Sequence, residues 1–308
     1  MTERRMMLIG SIVVLAHVVL GGVVITAEND IFDDSDNNYS HGSELEYNYW
    51  VEDGIHISRI GYGINQLMYT PKDISCSDMP PEDSRPWSGT LSLYRETWEF
   101  ETGKEIRTRI GVGILGPDAR AEDSQKKVHE WLGCQEPMGW DNQMPDELML
   151  NIYQDRYRLL WGQEMNDSRI ADIKWLYGGC FGTTFINAKT GVFARIGYNI
   201  PESSLPGGIV MKGDRGFEEK VFLYLIGGVD GMFVLHNATI GNSFFRDREE
   251  GQERDLENFV GEMSYGLVGG YNKLSLSYIY TQRTSEWEAE KDSDMGYGMI
   301  RLEFVEQF

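Results

Sequence analysis

Polar and apolar residues alternate along most of this chain. Between residues 105 and 115, Ile106, Thr108, Ile110, Val112 and Ile114 share one face, and Arg107, Arg109 and glycines share the other. A period of two marks a strand, because successive side chains leave opposite sides of the pleat. This segment pairs with residues 91–101 across the turn Glu101-Thr102-Gly103-Lys104, which predicts a hairpin. Further strands are predicted over 25–32, 44–50, 55–68, 148–161, 170–186, 191–199, 220–229, 232–245, 258–269, 273–283 and 296–308. The expected fold class is all-β, an antiparallel transmembrane β-barrel of about 12 strands.

One segment breaks the alternation. Residues 119–132 carry a helical pattern, with Asp118 as N-cap, Glu122 and Asp123 early, Lys126 and Lys127 later, and Gly133 just past the end. Val128 and Leu132 mark its apolar side, and Gln125 and His129, one turn apart, share a face. A short helix between strands of a barrel is expected to lie against the rim or inside the lumen. At the other extreme, Ile300, Leu302, Phe304 and Phe308 step evenly to the C-terminus, like the recognition signal of outer-membrane barrels, with Glu306 departing from that pattern.

Composition changes the picture in three ways. Thirty-five Gly, 16 Tyr and 8 Trp against 9 Pro suit bent strands and aromatic girdles. The mean hydropathy of −0.39 does not oppose a barrel, where only alternate side chains meet lipid. A formal charge of −21, partly in Asp33-Asp34-Ser35-Asp36 and Glu249-Glu250-Gly251-Gln252-Glu253, excludes nucleic acid as a natural partner. Such clusters are solvated acidic loops, or, at a surface rich in anionic lipopolysaccharide, places where divalent cations bridge like charges.

The N-terminus reads as an export signal: Arg4 and Arg5 precede an uncharged stretch over 6–25, interrupted only by His17. Cleavage after Ala27 would leave 28–308 as a single barrel domain; an uncleaved anchor is the alternative, since Ile25 is large for its place before the cut. Beyond residue 27 no uncharged run approaches the roughly 20 residues of a spanning helix, so strands must embed the chain. Cys76, Cys134 and Cys180 allow one disulfide and a leftover thiol, match no zinc motif, and are given no catalytic role.

A histidine on a helix is ordinarily a hydrogen-bonded structural residue. His129 has company that packing alone does not require: Gln125 one turn earlier, Trp140-Asp141-Asn142-Gln143 downstream, and Glu28-Asn29-Asp30.

At these residues the chain resembles the LpxR-type lipid A 3'-O-deacylase family. The elements that carry the resemblance are Glu28-Asn29-Asp30-Ile31-Phe32, Tyr39-Ser40-His41-Gly42, Tyr69-Thr70-Pro71 and Arg85-Pro86-Trp87-Ser88-Gly89. Gly116-Pro117-Asp118-Ala119, Gln125-Lys126-Lys127-Val128-His129, Gly139-Trp140-Asp141-Asn142-Gln143 and Arg195-Ile196-Gly197 continue it. The resemblance implies a monomeric outer-membrane hydrolase that removes the 3'-linked acyloxyacyl group from lipid A of lipopolysaccharide with the help of Ca²⁺. It implies His129 as general base toward water, Asp30 and Asn29 at the cation with Glu136 as a further ligand, Ser40 as the site hydroxyl, and Gln125 as the group that orients His129 or the ester. Arg85 and Lys72 are the implied substrate-binding residues; Arg85 receives a phosphate or buttresses the wall.

Several readings stay open. Ser40 could act as a nucleophile, although no Gly-x-Ser-x-Gly elbow surrounds it. Ser84 and Gln135 stand where the family has acidic residues, with Glu136 beside the latter, which could remove or shift one carboxylate. The competing functions are an inactive structural or permeability barrel and a hydrolase of phospholipid acyl chains.

Overall fold

The computed structural model describes residues 21–30, 38–53, 56–166, 168–204, 221–290 and 295–304. The acidic run at 33–36, most of the expected export signal and the C-terminal Glu306 and Phe308 lie outside them. Along the described chain come β1 (Gly22–Asn29), β2 (His41–Asp53), β3 (His56–Tyr69), β4 (Ser88–Glu101) and β5 (Lys104–Leu115). The helix α1 (Ala121–Leu132) follows, then β6 (Glu147–Met165), β7 (Ser168–Gly182), β8 (Phe185–Tyr198), β9 (Val221–Asn237), β10 (Phe259–Tyr271), β11 (Leu274–Arg283) and β12 (Met295–Phe304). Each strand pairs antiparallel with its sequence neighbours, and β1 pairs with β12, so the twelve close into a barrel. Closure matters because no row of unpaired backbone groups then faces lipid.

The two faces follow the alternation in the sequence. Ile25, Leu45, Ile64, Leu93, Ile110 and Val112 point outward and are exposed. On the same strands Glu44, Glu46, Arg59, Glu96 and Arg107 point into the lumen. There they form a ladder: Arg59 meets Glu46 at 2.5 Å, Arg107 meets Glu96 at 2.9 Å and Asp155 at 3.2 Å, and Arg109 meets Glu96 at 2.7 Å and Glu44 at 2.8 Å. Charges of both signs fill the interior because each desolvated group needs an opposite partner. A cavity of about 470 Å³ remains beside the ladder.

Connections at the two ends differ. The turns 102–103 and 272–273 join strands tightly at one end, where the longer connection between β8 and β9 also falls, while the long connections 70–87, 116–146 and 238–258 gather at the other, beyond Asn29. The gathered loops are tied to one another. The buried Arg254 guanidinium donates to the carbonyls of Pro80, Pro81 and Ser84, and Trp287 Nε1 donates to the Glu82 carbonyl at 3.0 Å.

Three expectations need correction. Gly22–Asn29 form the first strand and bond to both β12 and β2, so cleavage after Ala27 would remove most of β1 and open the wall; the barrel domain begins no later than Gly22. Residues 220–229 and 232–245 are not two strands, because Val221, Leu223, Leu225, Val229, Phe233 and Leu235 keep one outward face through Asp230-Gly231. The helix starts at Ala121, after a 3-10 turn at Pro117–Ala119 and a left-handed Arg120, and Asp118 makes no capping bond to it. All three cysteines are free, Cys76 and Cys134 exposed and Cys180 buried.

Candidate functional site on the outer face of the wall

The β1–β2–β3–β4 register aligns four residues near the loop end of the barrel. Asn29 faces His41, His41 faces Met68, and Met68 faces Gly89. All four belong to the outward set. Thr26 and Glu28, Gly42 and Glu44, Asn65 and Leu67, and Thr90 and Ser92 line the lumen cavities, so by the period of two the residues between them look out. Three strand spacings separate Asn29 from Gly89, about 14 Å.

The helix stands on this outer row. A methyl group built on Gly89 would come within 2.3 Å of the Ala121 Cβ, so the absence of a side chain at Gly89 lets α1 touch the wall. Beside it Gln66 Nε2 donates to the Ala119 carbonyl at 2.7 Å. Gly116, at φ 110 and pressed against Asp146, turns the chain out of β5 toward this position. Of the two expected places for the helix, the structure gives the rim, on its outer side, and not the lumen.

Behind the helix two tryptophans make a wedge. Trp87 and Trp140 pack with ring centroids 4.9 Å apart, in a cluster with Met68, Ile74 and Ala121. Trp140 Nε1 donates to the side-chain carbonyl of buried Gln125 at 2.8 Å, which fixes the amide. One turn on, His129 Nδ1 lies 2.5 Å from the Gln135 carbonyl. A carbonyl only accepts, so Nδ1 carries the proton and the Nε2 lone pair is the basic one. Gly133, left-handed at φ 71, ends the helix and brings the chain round so that Gln135 reaches the imidazole.

At the other end of the row lie three of the four expected oxygen donors, Asp30, Asn29 and Ser40. Asp30 follows Asn29 and is buried; Asn29 Nδ2 donates to the Ser40 carbonyl at 2.7 Å, and the Ser40 hydroxyl bonds the Thr70 hydroxyl. The partner of Ser40 is thus a hydroxyl and not an imidazole, which removes the support for a nucleophilic serine. Asn38 also enters here. Its N–H donates to the Thr70 carbonyl at 2.9 Å, and its buried Oδ1 has no hydrogen-bond partner among the described residues. No pattern in the sequence gives Asn38 or Thr70 a role. Asn38 adopts φ 69, a conformation asparagine tolerates better than most residues.

The remaining expected residues fall elsewhere. Glu136 is exposed in the loop after α1, and among the described residues no three His, Cys, Asp or Glu side chains cluster as a metal site. Lys72 is exposed, and its backbone N–H donates to the buried Ser84 hydroxyl at 3.1 Å. Arg85 is buried in the loop layer: it pairs with Glu286, donates to Thr239 Oγ1 at 3.0 Å and lies 4.1 Å above the Tyr69 ring. Of its two readings, the buttress fits this geometry. Burial would raise the Glu286 carboxyl, yet the Arg85 and Arg283 guanidiniums hold it below the usual carboxylate range. Burial pushes Tyr39, which donates to Glu28, well above an ordinary phenol.

A closed antiparallel barrel with an apolar outward face, ion pairs across its lumen and a helix on the outer face of one end defines an outer-membrane β-barrel protein. A sequence profile of the family described as "Outer membrane protein LpxR" matches residues 7–305, and the chain belongs to that family. Among solved structures it is similar to LpxR from Salmonella typhimurium, with a TM-score of 0.77 and 19% identity over 92% of this chain and 99% of that one. The β domain of the Bordetella autotransporter BrkA matches at a TM-score of 0.48 with 8% identity, over 92% of this chain and 98% of that one. No curated protein matches by sequence.

Proposed function

We propose that this protein is a lipid A 3'-O-deacylase of the outer membrane, in which His129 activates water against the ester of the 3'-linked acyloxyacyl group. The observation that carries this reading is the stance of α1 on the outward Gly89, which sets Gln125 and His129 on the side of the wall where lipid is found. An enzyme acting on a bilayer lipid needs its base on that side, and a pore does not. The ion-pair ladder across the lumen speaks against a permeability barrel.

In the proposed reaction the Nε2 lone pair of His129 takes a proton from water as its oxygen attacks the ester carbonyl. The Gln135 carbonyl, accepting from Nδ1–H, steadies the imidazolium that results. Collapse of the tetrahedral adduct breaks the bond to the 3' oxygen, which regains the proton from Nε2. The products are the sugar hydroxyl and the free acyloxyacyl acid. Gln125, aimed by Trp140, orients the ester or the histidine.

The chemistry of the oxygen donors fits a hard cation such as Ca²⁺. Asp30 offers a carboxylate, Asn29 and Ser40 offer neutral oxygens, and the orphaned Asn38 Oδ1 is the kind of buried acceptor a cation would satisfy. When bound, Ca²⁺ would supply positive charge toward the carbonyl oxygen. The closed wall leaves no free strand edge through which a second copy could pair, which supports a monomer.

The test is mass spectrometry of lipid A from cells expressing the wild-type protein and His129→Ala. The wild type is expected to remove one acyloxyacyl group, and the variant none. Lipid A left whole by the wild type with Ca²⁺ present, or phospholipid cleaved in its place, would refute the assignment.

A further inference from the structure

We infer that the C-terminal half of α1 is a lipid-contacting blade, in which Val128, Trp131 and Leu132 enter the outer leaflet and the acyl chains of the membrane fill the gap between this half of the helix and the wall. The inference deepens the proposed function by naming how substrate reaches the site.

Ala121, Gln125, Val128 and Leu132 follow one another at spacings of four, three and four, which places them on one stripe of the helix. The stripe changes environment along its length. Ala121 and Gln125 are buried against Gly89 and Trp140, whereas Val128 is 49% and Leu132 59% exposed. The helix therefore touches the wall at its start and stands clear of it one or two turns later. His129 flanks the part that stands clear.

Trp131 adds a second observation. At 85% exposure it is the most exposed large hydrophobic side chain among the described residues. In water such an arrangement of tryptophan, leucine and valine would be unfavourable by their unburied area. This helix, however, stands on the outward face of a barrel, continuous with the lipid-facing Leu93 and Ile64 on the strands beneath it. Tryptophan is the side chain that prefers the boundary between headgroups and hydrocarbon. The occupant we commit to is thus the hydrocarbon of outer-leaflet lipid, because the surface adjoins a surface that lipid already covers. A helix lying in that boundary with an apolar edge also meets the description of an interfacial amphipathic helix.

The consequence for the site is directional. An acyl chain drawn from the leaflet would slide along Val128 and Leu132 toward Gln125 and His129. Substrate would then enter from the side, through lipid, and not from the aqueous loops above.

The experiment uses the full-length protein reconstituted in phosphatidylcholine vesicles. Emission of the wild type minus that of Trp131→Phe isolates Trp131 among the eight tryptophans. The difference signal is expected to be quenched by phosphatidylcholine carrying a doxyl group near the headgroup end of its chain, and shielded at least about twofold from aqueous iodide. A signal open to iodide and indifferent to doxyl lipid would overturn the inference. In a second arm, Trp131→Ala is expected to lower hydrolysis of lipid A in vesicles roughly tenfold through a raised apparent KM. Hydrolysis of detergent-dispersed lipid A should be little changed; an equal fall on both substrates would overturn the feeding role. The fluorescence arm needs no turnover, so a barrel whose Trp131 meets lipid but which leaves lipid A whole would refute the hydrolase and spare the blade.

Discussion

Ala121 of the helix rests on Gly89 of the barrel wall, at a separation that leaves no room for a single added methyl group. Everything proposed for the site descends from that contact. It fixes on which side of the wall the helix lies, and hence which medium the His129 imidazole meets.

Gly89→Val should therefore separate the helix from the wall without unmaking the barrel. Overpacking at such a contact costs about 1–3 kcal/mol. The barrel should still migrate as a folded, heat-modifiable species in electrophoresis. Deacylation should fall by roughly a hundredfold, as misplacement of a catalytic group by about 1 Å predicts.

Trp140→Phe keeps the aromatic wedge against Trp87 and deletes the N–H that holds the Gln125 carbonyl. Loss of one buried hydrogen bond costs about 1 kcal/mol. The expected outcome is a fall of about fivefold to tenfold in kcat/KM with the melting temperature nearly unchanged. Gln125→Ala should fall at least as far. A wild-type rate in either variant would remove Gln125 from the site.

Removal of divalent cations by chelation should abolish turnover, and added Ca²⁺ should restore it. Asp30→Asn should weaken Ca²⁺ dependence to the point where millimolar additions no longer rescue. Asn38→Ala should raise the Ca²⁺ concentration needed for half activity, because it deletes the orphaned buried oxygen. Activity in the wild type that persists under chelation would show that the oxygen donors around Asp30 serve another purpose.

Glu290 gives the loop cap a dependence on pH. Its carboxylate accepts from Asn38 Nδ2 at 3.2 Å and from the Glu286 N–H at 2.8 Å, and burial, the largest influence, pushes it up to about 7 from an ordinary 4.5. The folded cap thus keeps a proton that an unfolded loop has lost. Stability is fully present below about 4.5, declines as pH rises through that window, and is lowest above about 7. Limited proteolysis of residues 284–290 should be faster at pH 8 than at pH 5, and Glu290→Gln should flatten the difference.

Arg59 is enclosed by Glu46, Glu96 and Glu303 in the lumen. Arg59→Met leaves buried carboxylates without their counter-charge, at a cost of about 3–5 kcal/mol. The variant should lose heat-modifiability at a lower temperature. The wild type, with its lumen filled, should show no steady conductance in planar bilayers; open-channel currents would revive the permeability reading.

Much of the wall is legible in the amino-acid order alone. Ile106, Ile110 and Val112 against Arg107 and Arg109 tell which residues meet lipid and which pair inside, because strand periodicity is written residue by residue. The helix is legible from the same kind of pattern, and so is the pairing of Gln125 with His129 on one face. Positions judged from one local sign fare worse. Asp230-Gly231 resembles a turn and is the middle of β9, since continued pairing on both sides outweighs a weak turn signal. Ala27 resembles the end of a leader, yet it pairs with Ile300 and Ser43 in the closed wall.

By itself, then, the sequence determined most of the strands, their two faces, the helix and the pair Gln125 and His129, all of which depend on neighbours a few residues apart. Only the tertiary structure decided that Asn29, His41, Met68 and Gly89 form one outward row, that Ala121 stands on it, and that Trp140 aims Gln125 while Arg85 braces the loops. Those facts come from register and from close approach between residues remote in the chain, and no local period encodes on which side of a closing wall a helix will come to rest.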